Sequence, residues 1–240
     1  MSVSRRRVRA IVLKELREYR RNRSLVGGMT IVPLIFLVQP LVAVFAEPAS
    51  ASAQLGRQHE LLYLLGIPAL VPSLIASYSV VAERQQGTLE PVLTTPIRRE
   101  ELLLGKALAI LLPSIVVSYG VYGLFLACVR AFARPAVASG LLRGPDVLAQ
   151  LIFTPLLATL SIWIGIAISS RSSDIRVAQQ VSMLASLPSI AVTTLIAIGV
   201  IHATLGLALV LGAALLLAAG LGWRLTSAAF DRERLITRTR

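Results

Sequence analysis

Few side chains in this 240-residue chain could take part in bond-making chemistry. One cysteine, Cys128, excludes an intrachain disulfide framework, and with two histidines there is no Cys/His cluster to hold a metal. His202 stands alone at the edge of an apolar run. Leu104-Gly105-Lys106-Ala107 is similar to part of a phosphate loop, but that motif wants Gly at 100, where Glu100 stands, and Ser or Thr in place of Ala107. What remains is a chemistry of contact. Between Ser24 and Trp223 the longest charge-bearing segment is ERQQGTLEPVLTTPIRREELLLGK, residues 83–106, which carries Glu83, Arg84, Glu90, Arg98, Arg99, Glu100, Glu101 and Lys106. Gly87, Pro91 and Pro96 punctuate it.

The elements that must position this segment are apolar. Hydrophobic residues make up 55% of the chain and charged ones 15%, against about 25% charged in a soluble domain. Runs of about 20 apolar residues recur, long enough to cross a bilayer as helices and too long and unalternating for barrel strands. The fold class expected is an all-α polytopic membrane protein, a single membrane domain of six transmembrane helices. The spans fall at about 24–46, 61–82, 107–129, 148–170, 179–201 and 206–223, with a tight turn near His202 to Gly206 and a basic tail at 224–240. Residues 4–23 form a basic amphipathic helix, with Val8, Ile11, Val12, Leu16 and Tyr19 on the apolar side and arginines toward anionic headgroups of the lipid bilayer. Ser4-Arg5-Arg6 is similar to a twin-arginine signal, but no apolar region follows at once. The first apolar run is of span length, without the small-residue site that would close a cleaved signal peptide.

The net charge of +12 does not point to nucleic acid, because no basic face is interleaved with aromatics on a soluble fold. Twenty of the 24 Lys and Arg fall in the N-terminal segment, the central segment, the 171–178 loop and the tail; Arg57, Arg130, Arg134 and Arg143 lie on the other side. The positive-inside rule then places both termini and residues 83–106 in the cytoplasm. The preference for arginine over lysine fits a high-GC bacterial source, and the location expected is the bacterial cytoplasmic (inner) membrane.

No Asp, Glu, Lys or Arg lies within the six spans so drawn, which argues against a proton-driven carrier and against an intramembrane hydrolase. Small polar residues form rows instead: Ser182, Ser186, Ser189 and Thr193 on span five, Thr154, Ala158, Ser161, Gly165 and Ser169 on span four, Ser73 and Ser77 on span two. Close helix packing accounts for such rows. The other reading is a lining for an amphipathic substrate, with Ser73, Ser77, Ser182, Ser186, Ser189 and Thr193 facing a pathway. Prolines in spans one to five predict kinks whose freed carbonyls find partners inside the bundle. Trp163 and Trp223 read as packing or interfacial-belt residues.

The central segment reads as helix, turn, helix. Residues 83–92 can leave the membrane as a short helix, and Thr95-Pro96 provides a cap and first position for a second. Glu83, Glu90, Arg98 and Arg99 are then presented for contact. An ordinary solvated loop is the other reading.

The segment resembles the signature of type-2 ABC exporter permeases: a Glu-x-x-x-Gly-Thr-Leu-Glu stretch, then Thr-Pro, then Gly-Lys entering span three. Glu83, Gly87, Thr88, Leu89, Glu90, Thr95, Pro96, Gly105 and Lys106 match, and RVAQQVSMLASLP, residues 176–188, is similar to the family's entry into span five. The resemblance implies a permease that pairs with a second copy or a paralogue and docks a separate ATP-binding-cassette ATPase. Glu83, Arg84, Gly87, Thr88, Leu89, Glu90, Arg98 and Arg99 would be the coupling contact. The chain itself would hold no cofactor, with ATP and Mg bound by the partner. Many relatives carry a large insertion after span one, where this chain has only residues 47–60. From the residues alone, an ion-coupled carrier or passive channel without an ATPase, or a membrane scaffold, stays open, as does the cargo (drug, lipid, peptide, glycan or ion).

Overall fold

The architecture comes from a computed structural model that describes residues 4–46, 59–87, 97–141 and 143–229. Within these, α1 (Arg5–Arg21) precedes α2 (Arg23–Ala46), a single turn α3 (Glu60–Tyr63), α4 (Gly66–Gln85), α5 (Arg99–Phe132), a short α6 (Pro135–Leu141), α7 (Gly144–Arg171), α8 (Ile175–Ala197) and α9 (Leu205–Ala229). The described residues hold no strand. Six stretches are long and apolar enough to cross a membrane: Arg23–Phe45, Glu60–Gln85, Arg99–Phe132, Gly144–Arg171, Ile175–Ala197 and Leu205–Ala228. Their order is the expected one, but several helices overrun the expected ends. The third begins at Arg99 rather than 107, the last runs to Ala229 rather than 223, and α6 occupies what was read as loop. The helices therefore contain Glu60, Glu83, Lys106 and Asp146, each lying just beyond an expected span limit, and all four are buried. Burial of these charges was not expected.

Helix ends explain the boundaries. Gly87 takes φ +68°, the left-handed turn that closes α4, and its N–H donates to the Arg84 carbonyl. After α8, Gly199 takes φ +78°, its N–H donating to the Ile196 carbonyl while the Val200 N–H donates to Leu195, the paired bonds of a Schellman ending. At the start of α5 the Glu101 carboxylate reaches back to accept from the Arg98 N–H at 3.2 Å, so the helix starts at Arg99; the expected Thr95-Pro96 start lies outside the described residues.

The chain has a basic end, where α1 lies and α2 begins, and a far end. α4 and α7 both run from the far end to the basic end and make the most extensive contact of the bundle. Small side chains permit it. A methyl added at Gly165 would stand 2.5 Å from the Ala76 Cβ and 3.2 Å from the Ser73 carbonyl. The Ser161 hydroxyl donates to the Ala69 carbonyl at 2.9 Å, and the Ser169 Oγ accepts from the N–H groups of Val80 and Val81. The proline prediction has a concrete instance. Pro155 has no N–H for the Leu151 carbonyl four residues back, and the Tyr119 hydroxyl donates to that carbonyl at 2.8 Å. Trp163 meets Trp223 edge-on at 5.2 Å, docking α9 on α7. At the far end His59 donates its backbone N–H to Ala197 and shares a 2.7 Å side-chain bond with Asp146.

The far halves of α5 and α7 are different. There the Ser118, Tyr122 and Thr154 hydroxyls and both amide atoms of Gln150 are buried and have no partner among the described residues. Left dry, each unpaired group would cost about 1–3 kcal/mol, and five together would rival the whole stability of a domain.

The α4–α7 packing predicts that Gly165→Val lowers stability by about 1–3 kcal/mol through overpacking against Ala76. Gly120→Ala, with nothing within 4 Å of the added methyl, leaves it unchanged or slightly higher. Thermal unfolding of the detergent-purified protein distinguishes the two.

Candidate functional site

At the basic end the motif residues fold inward. Lys106, one turn above Leu102 on α5, is fully buried, and an ammonium there is tolerable only if its three donors are satisfied by acceptors of the right charge. They are. The Lys106 Nζ lies 3.0 Å from Glu15 Oε1, 2.9 Å from Glu83 Oε2 and 2.9 Å from the Ser79 carbonyl. Lys14 closes the circuit, with its Nζ 2.6 Å from Glu83 Oε1 and 3.3 Å from Glu15 Oε1. The Tyr19 hydroxyl donates to Glu15 Oε2 at 3.1 Å. Two ammoniums and two carboxylates thus form a ring that joins α1, α4 and α5.

Local sequence explains why the ring closes. Ile11, Glu15 and Tyr19 recur every four residues and are the buried side of α1. Gly105 lets that side come close, because a Cβ there would stand 2.6 Å from Ile11 Cγ2. Gly105-Lys106 therefore acts as a seat and a plug for α1. A phosphate loop is excluded here, since the lysine's donors are consumed inside a helix. Lys14 and Lys106 are also the chain's only two lysines among 24 basic residues. A compact ammonium fits a three-acceptor socket where a planar guanidinium does not.

A second set of bonds surrounds the ring. Glu101 accepts from the Ser4 N–H at 2.9 Å and from Arg7 Nη1 at 3.3 Å, pinning the start of α1 to the start of α5. Arg84 spreads its guanidinium over the end of α7, donating to the Ser170 carbonyl at 2.8 Å and the Ser172 carbonyl at 3.0 Å, where exposed carbonyls favour a cation. Gln85 donates to the Ser173 carbonyl at 3.1 Å.

Charges set the titration. Burial would raise the Glu15 carboxyl, but the Lys106 and Lys14 ammoniums outweigh it and hold the carboxyl below its ordinary value of 4.5. Burial would lower Lys14, yet its bond to Glu83 and the charges of Glu15, Glu83 and Glu18 raise it above 10.5. Burial, then the Glu15 carboxylate, pushes the Tyr19 phenol well above its usual range, so it remains a donor.

The expected contact set divides. Glu83 is a correction: read as presented for contact, it is buried within the ring. Arg84 is half-buried on α7, and Arg98 is the half-buried cap of α5. Gly87 and Arg99 are exposed. Thr88, Leu89 and Glu90 lie outside the described residues. The hydroxyl rows also resolve. Ser73, Ser77, Ser182, Ser186 and Thr193 are buried and Ser189 is half-buried. Most of their hydroxyls return to carbonyls of their own helix, as Ser73 does to Leu70 and Ser186 to Ser182. Glu15 was missed. The available signal was a glutamate falling between Ile11, Val12, Leu16 and Tyr19 on the apolar side of a basic helix.

Removing one member of a buried pair leaves the other charged and alone, which costs about 3–5 kcal/mol. Lys106→Met should therefore lower stability by about that amount and expose α1 to protease. Lys106→Arg should also destabilise despite keeping its charge, because five donors replace three. Thermal unfolding with limited proteolysis at α1 reads both. The acid limb is predicted too. With its pKa lowered on folding, Glu15 contributes stability that is complete above about pH 4.5 and lost as pH falls through its depressed value. Lys14, raised on folding, contributes fully below 10.5 and loses that only at higher pH. The ring's contribution to thermal stability should thus be flat from about pH 5 to 9 and fall in acid, and Glu15→Gln should flatten that acid limb.

No curated protein matches the sequence. Residues 9–211 match the family described as ABC-2 family transporter protein, a region that takes in most of α1, the ring and the first five spans. The chain is a multi-pass membrane protein of the ABC-2 transporter family.

Proposed function

We propose that the chain is the permease subunit of an ATP-driven exporter, acting as a dimer with a second copy or a paralogue and driven by a separate ATP-binding-cassette ATPase. The observation that carries this reading is the ring around Lys106. It clamps the end of α4 and the start of α5 to each other and to α1, so the segment between Gln85 and Arg99 leaves and re-enters a stiff frame. A displacement of that segment is passed to spans two and three, and through Arg84 to the end of span four. In this division of labour Gly87, Thr88, Leu89, Glu90, Arg98 and Arg99 meet the ATPase, while Glu83 and Arg84 transmit from behind.

ATP and Mg belong to the partner, and the protein supplies the membrane route. Both termini and the 83–106 segment face the cytoplasm of a bacterial cell, with α1 at the headgroup level of the inner membrane and its arginines outward. A route that used Ser73, Ser77, Ser182, Ser186, Ser189 and Thr193 would require the helices around them to part, since five of these residues are buried and Ser189 is half-buried. Apolar walls with scattered hydroxyls suit an amphipathic cargo.

Affinity purification of the tagged chain from its own host tests the reading. A stoichiometric cassette ATPase is expected with the wild type and is lost from Glu90→Arg, while the melting temperature and the protease resistance of α1 are unchanged. An ATPase absent from the wild-type preparation, or retained undiminished by Glu90→Arg, overturns it.

A further inference from the structure

The unpaired polar groups of α5 and α7 lie at matching heights along the two helices. Ser118 and Tyr122 are one turn apart on α5, and Gln150 and Thr154 are one turn apart on α7. The antiparallel register is fixed by the Tyr119–Leu151 bond and by the approach of Asp146 to Tyr122, which sets 118 beside 150 and 122 beside 146. All four side chains are at least 96% buried. Their five polar atoms have no partner among the described residues, and their burial keeps a lipid or a second copy from reaching them without the helices separating.

The donor and acceptor types identify what must sit there. Gln150 offers donors at Nε2 and an acceptor at Oε1, and each hydroxyl is both. A cation would leave the amide donors unpaired, and an anion would leave Oε1 unpaired. A small molecule that both donates and accepts satisfies all of them. The four residues that separate each pair advance about 6 Å along the helix, close to two water–water hydrogen bonds of about 2.8 Å. We propose that a file of ordered water molecules lies between α5 and α7, bonded to Thr154, Ser118, Gln150 and Tyr122 and ending at the Asp146 carboxylate beneath its bond with His59. The contact is then a wet one between two transmembrane helices, beside the dry α4–α7 contact.

Hydroxyl radicals generated by X-rays in ¹⁸O-labelled water test this on the full chain in lipid nanodiscs, because they modify buried aromatics only where water is next to them. Phe125, fully buried on the same helix, is the internal control. Tyr122 should take up label about fivefold or more above Phe125, and Gln150→Leu with Thr154→Val should bring it down toward Phe125. Equal labelling of Tyr122 and Phe125 in the wild type overturns the proposal. So does undiminished Tyr122 labelling in a double variant that still melts cooperatively. Should the double variant not fold, the wild-type comparison and Thr154→Val alone decide.

Discussion

A buried ammonium constrains everything around it. Lys106 has no water to fall back on, so each of its three donors needs an acceptor from a different direction, and those come from α1 and from two positions on α4. Three helices cannot shift independently without stranding a charge. That requirement fixes the depth and rotation of α1 on α5, places Gly105 where the two helices touch, and turns Glu83 away from the surface. The ring is less a source of net stability than a device that allows one arrangement, since burying three of its four charges, Glu15, Glu83 and Lys106, recovers little beyond their desolvation.

Elsewhere the bundle is held by shape. The α4–α7 contact uses Ser, Ala and Gly to bring backbones close, which suits an environment where apolar contact between helices gains nothing over apolar contact with lipid. The two kinds of contact sit at different heights. Charge ties α4 to α5 at the basic end, small residues tie α4 to α7 along their length, and the far half of α5–α7 carries unmatched polarity.

Much of this was legible in the sequence. Span number, order and type follow from run length and charge distribution, and the Ser and Gly rows announced close packing. Pro155 implied a carbonyl in need of a donor, though nothing named Tyr119. Ends were harder, because hydropathy marks where a helix leaves the apolar layer rather than where its hydrogen bonds stop; α5 continues eight residues below its expected start. The charged site was misread at Glu83 for the same reason. A residue at the edge of a span is usually solvated, and only its partners, Lys14 and Lys106, make burial affordable. Those partners lie 69 and 23 positions away in sequence, and periodicity within one helix cannot reveal a pairing between three. One trace was present: in a chain whose basic residues are otherwise all arginine, the two lysines are the ring's two cations.

The ring contains equal numbers of positive and negative groups. An assembly without net charge feels no force from the voltage across a membrane, nor from the negative potential of anionic lipids at its surface. The exposed arginines of α1, among them Arg5, Arg9, Arg17 and Arg20, do feel both. The helix can thus be attracted to the bilayer by its outer face while its attachment to the bundle keeps the same strength in an energised and a de-energised cell.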